Sequence, residues 1–185
     1  MAHQEYSPPF EPWLTFLPFA LQVGDTLAYT LHLLSVPQNT AIQEMLRKEC
    51  QSLNLPPTYS QALLQDRLMA IQTAPYLDAV LKETLRRFPA STTSLQRVVP
   101  DGGRMLDGMF VPGAITIGAS PVTTNMDEGV FDRYGKHTVA DWAPARWLDA
   151  DEGTLGEMNR RMWTFGSGGR YVSASNLNRR HCVQR

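Results

Sequence analysis

Apolar residues recur at steps of three and four from Leu14 to Cys50, which predicts helical structure in the first part of the chain. The positions that carry this pattern are Leu17, Leu21, Gly24, Ala28, Leu31 and Leu34. Pro37 interrupts the pattern, and a second helix is expected from Gln38 to Cys50. We therefore expect two consecutive helices with a break at Pro37.

Two further helices are predicted before residue 90. The double proline Pro56-Pro57 precedes a helix that is expected to start at Ser60. Pro75 opens the next helix, from Tyr76 to Phe88, and Pro89 ends it. The apolar residues expected to form the buried stripe of that helix are Leu77, Val80, Leu81 and Leu85.

The character of the sequence changes after this helix. From Ser91 to Val122, short β-branched runs are separated by Gly-Gly, Asp-Gly and Pro-Gly pairs, which predicts a small sheet of hairpins. From Asn125 to Gly168 the chain is expected to be mostly loop, anchored by Trp142, Trp147 and Trp163. Helices followed by a small sheet and a long loop indicate an α+β fold that is mainly helical.

Composition and charge narrow the classes of function. The 185 residues, of which 43% are hydrophobic, suffice for one domain with a core. A net charge of −1 gives no reason to expect nucleic acid or an anionic membrane surface as a partner. Cys50 and Cys182 form no metal or disulfide pattern. No apolar run predicts a transmembrane segment, and residues 1–13 are expected to form an irregular arm.

Four short motifs follow one another along the chain. Glu83 and Arg86 lie three residues apart on one helix face, and alone they would indicate a surface ion pair. Gln96-Arg97-Val98 lies in the predicted sheet, Pro144-Ala145-Arg146-Trp147 in the long loop, and Phe165-Gly166-Ser167-Gly168-Gly169-Arg170 at its end. In this order and spacing the motifs resemble the C-terminal half of a cytochrome P450, most closely the fungal microsomal kind.

The resemblance extends from Phe19 to Arg170 and implies a partial cytochrome P450 fold over residues 14–170. It implies that Glu83, Arg86 and Arg146 meet in a buried triad, which ties the long loop to the helix behind the haem group. A buried guanidinium is tolerated when a carboxylate clamps it. In the family a glutamate precedes the third residue of this triad, and here that position is alanine.

The resemblance also implies a haem site. Arg97 and Arg170 match family arginines that hold the haem propionates, for which a guanidinium fork is suited. Gly166 and Gly168 match glycines that let the loop backbone approach the porphyrin. Phe165 matches the phenylalanine that packs against the haem beside the sulfur.

The oxygen-activating helix of the family is matched by Gln22-Val23-Gly24-Asp25-Thr26-Leu27. In this stretch Asp25 and Thr26 match the acid and the alcohol that relay protons to bound dioxygen. The glycine is displaced by one position, and Leu27 replaces the second threonine of the family motif.

The activity that the resemblance implies is the insertion of one oxygen atom from O2 into a small apolar organic substrate. Electrons would come from an NADPH-P450 reductase. The resemblance places a full-length parent at the endoplasmic reticulum membrane. Because this sequence shows no anchor, the expectation for the folded chain is a cytoplasmic location.

The sequence departs from the family in the haem loop. The position of the iron-binding cysteine is Val172, which has no lone pair to give, and Ala174 replaces a glycine. Residues 171–185 are polar and do not resemble the apolar helix that follows the loop in the family. Tyr171-Val172-Ser173 can be encoded by bases that, after an Arg170 codon ending in G, resemble a fungal 5′ splice-donor consensus. We therefore hypothesise that residues 171–185 are translated intron.

The sequence leaves three interpretations open. The chain is an incomplete and inactive haem-thiolate monooxygenase, a haem-free protein of this origin with a binding, regulatory or non-redox enzymatic role, or a pseudogene product that does not fold. The histidines at positions 3, 32, 137 and 181 form no evident nucleophile–base pair. Because the front half of the family fold is missing, we expect exposed apolar faces on the oxygen helix and on the sheet.

Overall fold

The computed structural model describes residues 12–53, 69–89, 91–133 and 135–166, with the backbone alone for residues 12–22. Within these ranges, helices with a small amount of antiparallel sheet make up an α+β fold that is mainly helical, as predicted. No helix in this part of the chain is long and apolar enough to cross a membrane.

The first elements are helical and follow the apolar periodicity. They are helix α1 (Pro12–Ser35), a 3-10 turn (Pro37–Asn39) and helix α2 (Thr40–Ser52). The predicted break at Pro37 is therefore confirmed. Asn39 Nδ2 donates a hydrogen bond of 2.8 Å to the carbonyl of Leu33, which satisfies one of the acceptors left free at the end of α1.

A short helical stretch at 69–72 (α3) precedes helix α4 (Pro75–Arg87). The predicted helix start at Ser60 lies outside the described residues. Pro75 occupies the start of α4, where its missing N–H is not needed. Glu49 of α2 caps this helix, because its two carboxylate oxygens accept hydrogen bonds of 2.9 and 2.8 Å from the backbone N–H groups of Tyr76 and Leu77.

The buried face of α4 differs from the predicted leucine stripe. Its buried residues are Tyr76, Ala79, Val80, Glu83, Thr84 and Arg86. Leu81 is 37% exposed, so its place in the predicted stripe is wrong. The helix turns the charged pair Glu83 and Arg86 inward, where distant residues bind them, and this rotation carries Leu81 towards solvent.

Two antiparallel pairs of strands follow α4. Strand β1 (Leu95–Val98) pairs with β4 (Thr116–Ala119), and β2 (Arg104–Leu106) pairs with β3 (Met109–Val111). Asp107 and Gly108 join β2 to β3 with φ angles of 48° and 79°, which are the positive values that a type I′ turn requires. The predicted hairpin region is confirmed.

The segment after the sheet contains more helix than predicted. Its helices are α5 (Pro121–Thr124), α6 (Glu128–Phe131), α7 (Ala145–Leu148) and α8 (Glu152–Arg161). Helix α8 was not predicted, although most of the described residues between 125 and 166 lie outside helices, as expected for a mostly irregular segment. Gly153 and Gly156 lower its helix propensity, and its start is fixed by Asp151, whose side chain accepts a hydrogen bond of 3.0 Å from the N–H of Thr154.

The apolar core lies where α4, α6, α7 and α8 meet. The buried residues of this core are Ala79, Val130, Phe131, Trp147 and Met158. The rings of Phe131 and Trp147 lie 6.2 Å apart with a tilt of 57°, a geometry that aromatic pairs favour. Through this core, three short helices of the later chain are held against α4.

Large apolar side chains are exposed on α1 and on the strands. On α1, Val23, Leu27 and Leu31 form a stripe at steps of four and are 55–58% exposed. On the strands, Val98 and Met109 are 67% and 70% exposed. Both surfaces agree with the expectation of uncovered apolar faces on these elements.

Candidate functional site: a buried charge cluster and the adjoining loop

Glu83 is the centre of a buried cluster of charged groups. The structure brings it together with Arg86 and Arg146, the two other residues of the predicted triad. Arg86 Nη2 and Nε donate to the two carboxylate oxygens at 2.9 and 3.0 Å, and Arg146 Nε donates at 3.4 Å. The N–H of Ala143 and the indole Nε1 of Trp147 complete the set at 3.1 and 2.9 Å. No surface of Glu83 is exposed, so these donors replace its water.

The two arginines bind the backbone of the segment that follows the sheet. Arg86 donates to the carbonyls of three residues at 2.9 to 3.1 Å, namely Asn125, Val139 and Asp141. Arg146 donates to the carbonyls of three others, namely Phe131, His137 and Thr138. A segment with little regular structure has few partners for its own carbonyls. The guanidinium groups supply those partners and fix the path of the chain from residue 125 to residue 141.

Burial is the main influence on the pKa of two arginines, Arg146 in the cluster and Arg87 beside it. It lowers the pKa of Arg146 below its ordinary value, while the charge of Glu83 opposes that shift. Burial also lowers the pKa of Arg87, and the neighbouring Arg86 adds to the effect. Guanidinium groups nevertheless stay protonated in proteins. The cluster therefore keeps two positive charges against one carboxylate, and carbonyl dipoles stabilise the excess.

The three tryptophans expected to anchor the long loop have different surroundings. Trp147 is buried and donates to Glu83, as described above. Trp142 is half-buried, and its Nε1 donates to Thr84 Oγ1 at 3.1 Å. Trp163 Nε1 is buried but has no hydrogen-bond partner in the described part of the chain. Two of the three therefore attach the loop to α4 through polar contacts.

The residues predicted to touch the porphyrin are described only in part. Gly168, Arg170 and Val172 lie outside the described residues. Arg97 lies on β1, is exposed, and its Nη1 donates to the carbonyl of Gln96 at 2.7 Å. Phe165 is half-buried at the start of the loop.

Gly166 has a backbone that favours glycine. Its φ is +73°, and a Cβ added there would lie 3.0 Å from Leu95 Cδ1. The loop therefore runs closely against β1, the strand that carries Arg97.

Asp25 and Thr26, the predicted proton-relay pair, lie on α1. Asp25 is exposed and Thr26 is half-buried. The carbonyl of Thr26 accepts a hydrogen bond of 2.8 Å from Thr30 Oγ1. One turn further, Tyr29 stacks on Phe88 at the end of α4, with 4.5 Å between ring centroids and 8° between planes. This stacking joins α1 to the helix that carries Glu83.

A cavity of about 50 Å3 lies beside the cluster. Its lining includes Phe131, Arg146 and Met158, and it does not include the loop at residues 163–166. Asp132 Oδ1 and His137 Nε2 belong to lining residues and have no partner among the described atoms. Pockets for organic ligands usually exceed about 300 Å3, whereas ordered water needs only about 15 Å3. The cavity is too small to be the substrate pocket of an oxygenase.

Comparison with known proteins identifies the family. The sequence model of the cytochrome P450 family matches residues 24–171. The chain belongs to the cytochrome P450 family. The matched range contains the Glu83 cluster, the strands and the start of the loop at Phe165.

Curated relatives agree with this assignment. The cytochrome P450 monooxygenase mfmA of Annulohypoxylon moriforme is 30% identical over 174 residues, which cover 90% of this chain and 32% of the relative. The cytochrome P450 monooxygenase aneF of Aspergillus aculeatus is 31% identical over 163 residues, with coverages of 86% and 30%. A pisatin demethylase of Fusarium vanettenii is 33% identical over 112 residues, with coverages of 60% and 21%. The chain thus spans about a third or less of the length of these relatives.

The cytochrome P450 family implies a haem group held by a cysteine thiolate. The described loop residues are compatible with a nearby porphyrin, but the position of the iron ligand is not. Gly166 leaves room for close approach, and the indole N–H of Trp163 beside it is a buried donor with no partner among the described residues. The position expected for the iron ligand is Val172, a side chain with no donor atom. The chain with this sequence therefore does not fit a haem iron that needs a thiolate.

The sequence did not predict two sets of contacts in this P450 chain, both between polar side chains and residues that are distant in sequence. Asn125 and Thr164 are buried polar residues that contact each other and the end of α4. Glu49 was missed for the same reason, since its partners lie 27 and 28 residues later. No local pattern of residues marks such contacts.

Proposed function

We propose that this chain derives from a haem-thiolate monooxygenase and that, with valine at position 172, it does not insert oxygen. The family match over residues 24–171 supports the origin. The buried contacts among Glu83, Arg86 and Arg146 are consistent with the matched part of that fold. The observation that carries the proposed loss of activity is Val172, because valine has no lone pair for iron.

In a parent protein with a cysteine at position 172, the matched residues would have separate roles. The haem group would supply the oxygen chemistry. Arg97 and Arg170 would bind its propionates, and Asp25 and Thr26 would hold and pass protons. A reductase would deliver electrons, and the substrate would be a small apolar organic molecule.

Two segments of this chain would line the substrate pocket of the parent. They are residues 88–92, after α4, and residues 20–24, on α1. Substitutions in these segments should shift substrate preference in a restored full-length protein, because they would change the shape of the pocket. An unchanged product profile would contradict this placement.

The first experiment asks whether the missing thiolate is what prevents haem binding. Val172→Cys is expected to confer uptake of haem, seen as a Soret absorption band, and a carbon monoxide difference spectrum of the thiolate-ligated kind. Ala174→Cys is the matched control, because it places a thiol two residues away, and it should give no such spectrum. The same spectra from both variants, or from neither, would contradict the assigned ligand position.

The second experiment asks whether residues 171–185 belong to the mature protein. We would sequence spliced transcripts across the codons for Arg170 and Tyr171. Removal of an intron and the appearance of a cysteine codon at position 172 would support a haem-thiolate enzyme with the site residues named above. Transcripts that run unchanged through Tyr171 would remove the intron hypothesis and leave the monooxygenase as ancestry.

A haem-free role is the second candidate, and the completeness of the Glu83 cluster favours it. Every donor to Glu83 named above comes from this chain, so the cluster needs no haem group. This candidate predicts a soluble protein that unfolds cooperatively without haem. Aggregation without a cooperative transition would instead indicate a pseudogene product that does not fold.

A further inference from the structure

We propose that Asn125 is a positioning residue that fixes the turn at residues 163–166 against the end of α4. The inference rests on the proposed function, because this turn matches the start of the haem loop. Asn125 has no exposed surface, and no motif described above assigns it a role.

The side-chain amide of Asn125 uses its donor and its acceptor groups on two separate parts of the chain. Nδ2 donates to the carbonyl of Arg86 at 3.2 Å and to Thr164 Oγ1 at 3.1 Å. Oδ1 accepts from the backbone N–H of Trp163 at 2.8 Å. One planar group therefore binds the last turn of α4 and the first residues of the loop at once.

The contacts at α4 satisfy carbonyls that the helix itself leaves free. The last four carbonyls of an α-helix have no partner within the helix. Thr164 Oγ1 donates to the carbonyl of Leu85 at 2.9 Å, and Asn125 donates to that of Arg86. The end of α4 is thus capped by the loop and by the residue that holds the loop.

Asn125 is also bound to the charge cluster. Arg86 Nη1 donates to the backbone carbonyl of Asn125 at 3.0 Å, while the Asn125 side chain donates to the Arg86 carbonyl. The two residues bind each other in both directions across 39 positions of sequence. Through this pair, the buried Glu83 cluster sets the position of the amide that holds Trp163.

The turn held by Asn125 has little freedom to adjust. The N–H of Gly166 donates to the carbonyl of Trp163 at 3.0 Å, which closes the turn. Gly166 has a φ of +73° and lies against Leu95 of β1. A displacement of Trp163 therefore moves Phe165 and Gly166, the two residues expected to meet the porphyrin.

Asparagine is the side chain whose chemistry these contacts require. Aspartate has the same shape, but an ionised carboxylate only accepts hydrogen bonds. An aspartate at position 125 could not donate to the carbonyl of Arg86 and would place a negative oxygen against it. The repulsion would move the side chain away from α4 and so weaken the bond from the Trp163 N–H as well. Asn125→Asp is therefore a test of hydrogen-bond direction at constant volume.

The test measures amide hydrogen exchange by NMR in the chain with its own sequence. In Asn125→Asp we expect the amides of Trp163 and Gly166 to exchange at least roughly tenfold faster than in the unsubstituted chain, relative to amides in the middle of α4. Asn159→Asp is the matched control, since Asn159 is exposed and its amide donates within α8 to Leu155. The control should leave both amides unchanged.

Two outcomes of this measurement would overturn the proposal. One is unchanged exchange at Trp163 and Gly166, and the other is faster exchange only in proportion to that of α4. If Asn125→Asp does not fold, Thr164→Val serves instead, because it removes the hydroxyl that bridges Asn125 and Leu85 and leaves the Trp163 bond. It should accelerate exchange at the turn in the same direction by a smaller factor, and no change would again overturn the proposal.

A second measurement, of haem uptake, distinguishes failure of this proposal from failure of the proposed function. In the Val172→Cys background, Asn125→Asp should weaken haem uptake several-fold and broaden the Soret band, while Asn159→Asp should not. Equal uptake by the two variants would overturn the link to the haem loop. If Val172→Cys binds no haem but the exchange at Trp163 still responds, the proposed function fails and the positioning role of Asn125 stands.

Discussion

Glu83 and Glu157 each contact more than one arginine, but their surroundings are opposite. Glu83 is fully buried, with Arg86 and Arg146 at 2.9 and 3.4 Å. The Glu157 side chain is 31% exposed and lies 3.6–3.8 Å from arginines that are 55–70% exposed, namely Arg133, Arg160 and Arg161. The number of charged neighbours is therefore similar, and the access of water differs.

The difference indicates that burial, and not the number of ion pairs, determines how much a charged residue contributes to the free energy of unfolding. Around Glu157, water and salt screen the arginines, and such pairs are typically worth below about 1 kcal/mol. Around Glu83, each oxygen and each guanidinium has protein partners only. Loss of one partner there leaves a charge without solvent or counterpart.

The sharpest test of this comparison is the same substitution at both sites. Glu83→Gln should lower the free energy of unfolding by roughly 3–5 kcal/mol, because it leaves Arg86 and Arg146 buried without their carboxylate. Glu157→Gln should lower it by less than about 1 kcal/mol. Urea unfolding of the purified variants measures both changes. Equal losses at the two sites would break the comparison.

A smaller effect is expected when one donor to Glu83 is removed. Trp147→Phe keeps the aromatic ring in the core and loses the 2.9 Å hydrogen bond to the carboxylate. We expect a loss of about 1.5–3 kcal/mol, since the acceptor is charged. Trp142→Phe, which loses a bond to the neutral Thr84 hydroxyl, should cost about 1 kcal/mol. A larger loss for Trp142→Phe in thermal or urea unfolding would contradict the role given to the charge.

A third carboxylate, that of Glu49, is half-buried and binds backbone N–H groups. Glu49→Gln should lower the free energy of unfolding by about 0.5–2 kcal/mol, through a weaker cap on α4 and the loss of a charge near its N-terminus. Glu44→Gln on the exposed side of α2 is the control and should have little effect. Similar losses in both variants would show that charge on α2 matters more than the cap.

The smallest expected effect on stability comes from the deprotonation of Tyr76 at alkaline pH. Burial raises the pKa of its phenol above the ordinary value of 10.0, and the charge of Glu49 adds to the shift. The unfolded chain therefore loses this proton first as the pH rises, and stability falls from about pH 10 upward. Tyr76→Phe should show a shallower fall in urea midpoints over that range. Parallel curves would mean that Tyr76 is accessible to water.

The helices and turns that depend on residues close to one another in the sequence could be predicted. Apolar periodicity and the prolines at positions 37, 75 and 89 predicted α1, α2 and α4, because these signals act within a few residues. The Asp107-Gly108 pair predicted its hairpin for the same reason. Arg146 was associated with Glu83 only through the resemblance to the family, since no spacing predicts a contact across 63 residues.

Other features could not be predicted because tertiary contacts override local preferences. Gly153 and Gly156 concealed α8, which is held by its Asp151 cap and by the burial of Met158. Leu81 was placed in the core by periodicity, yet α4 buries Glu83 and Arg86 instead. The contacts of Asn125 could not be predicted, because its partners lie 38 and 39 residues later or earlier in the chain.

The long-range donors to Glu83 also determine when α4 can be completed during synthesis on the ribosome. Ala143, Arg146 and Trp147 are translated 60 to 64 residues after the glutamate that they bind. At ~5–20 residues per second this interval lasts about 3–13 s. For that time Glu83 must stay hydrated, so the nascent α4 presents its charged face to water and to chaperones until Trp147 has emerged.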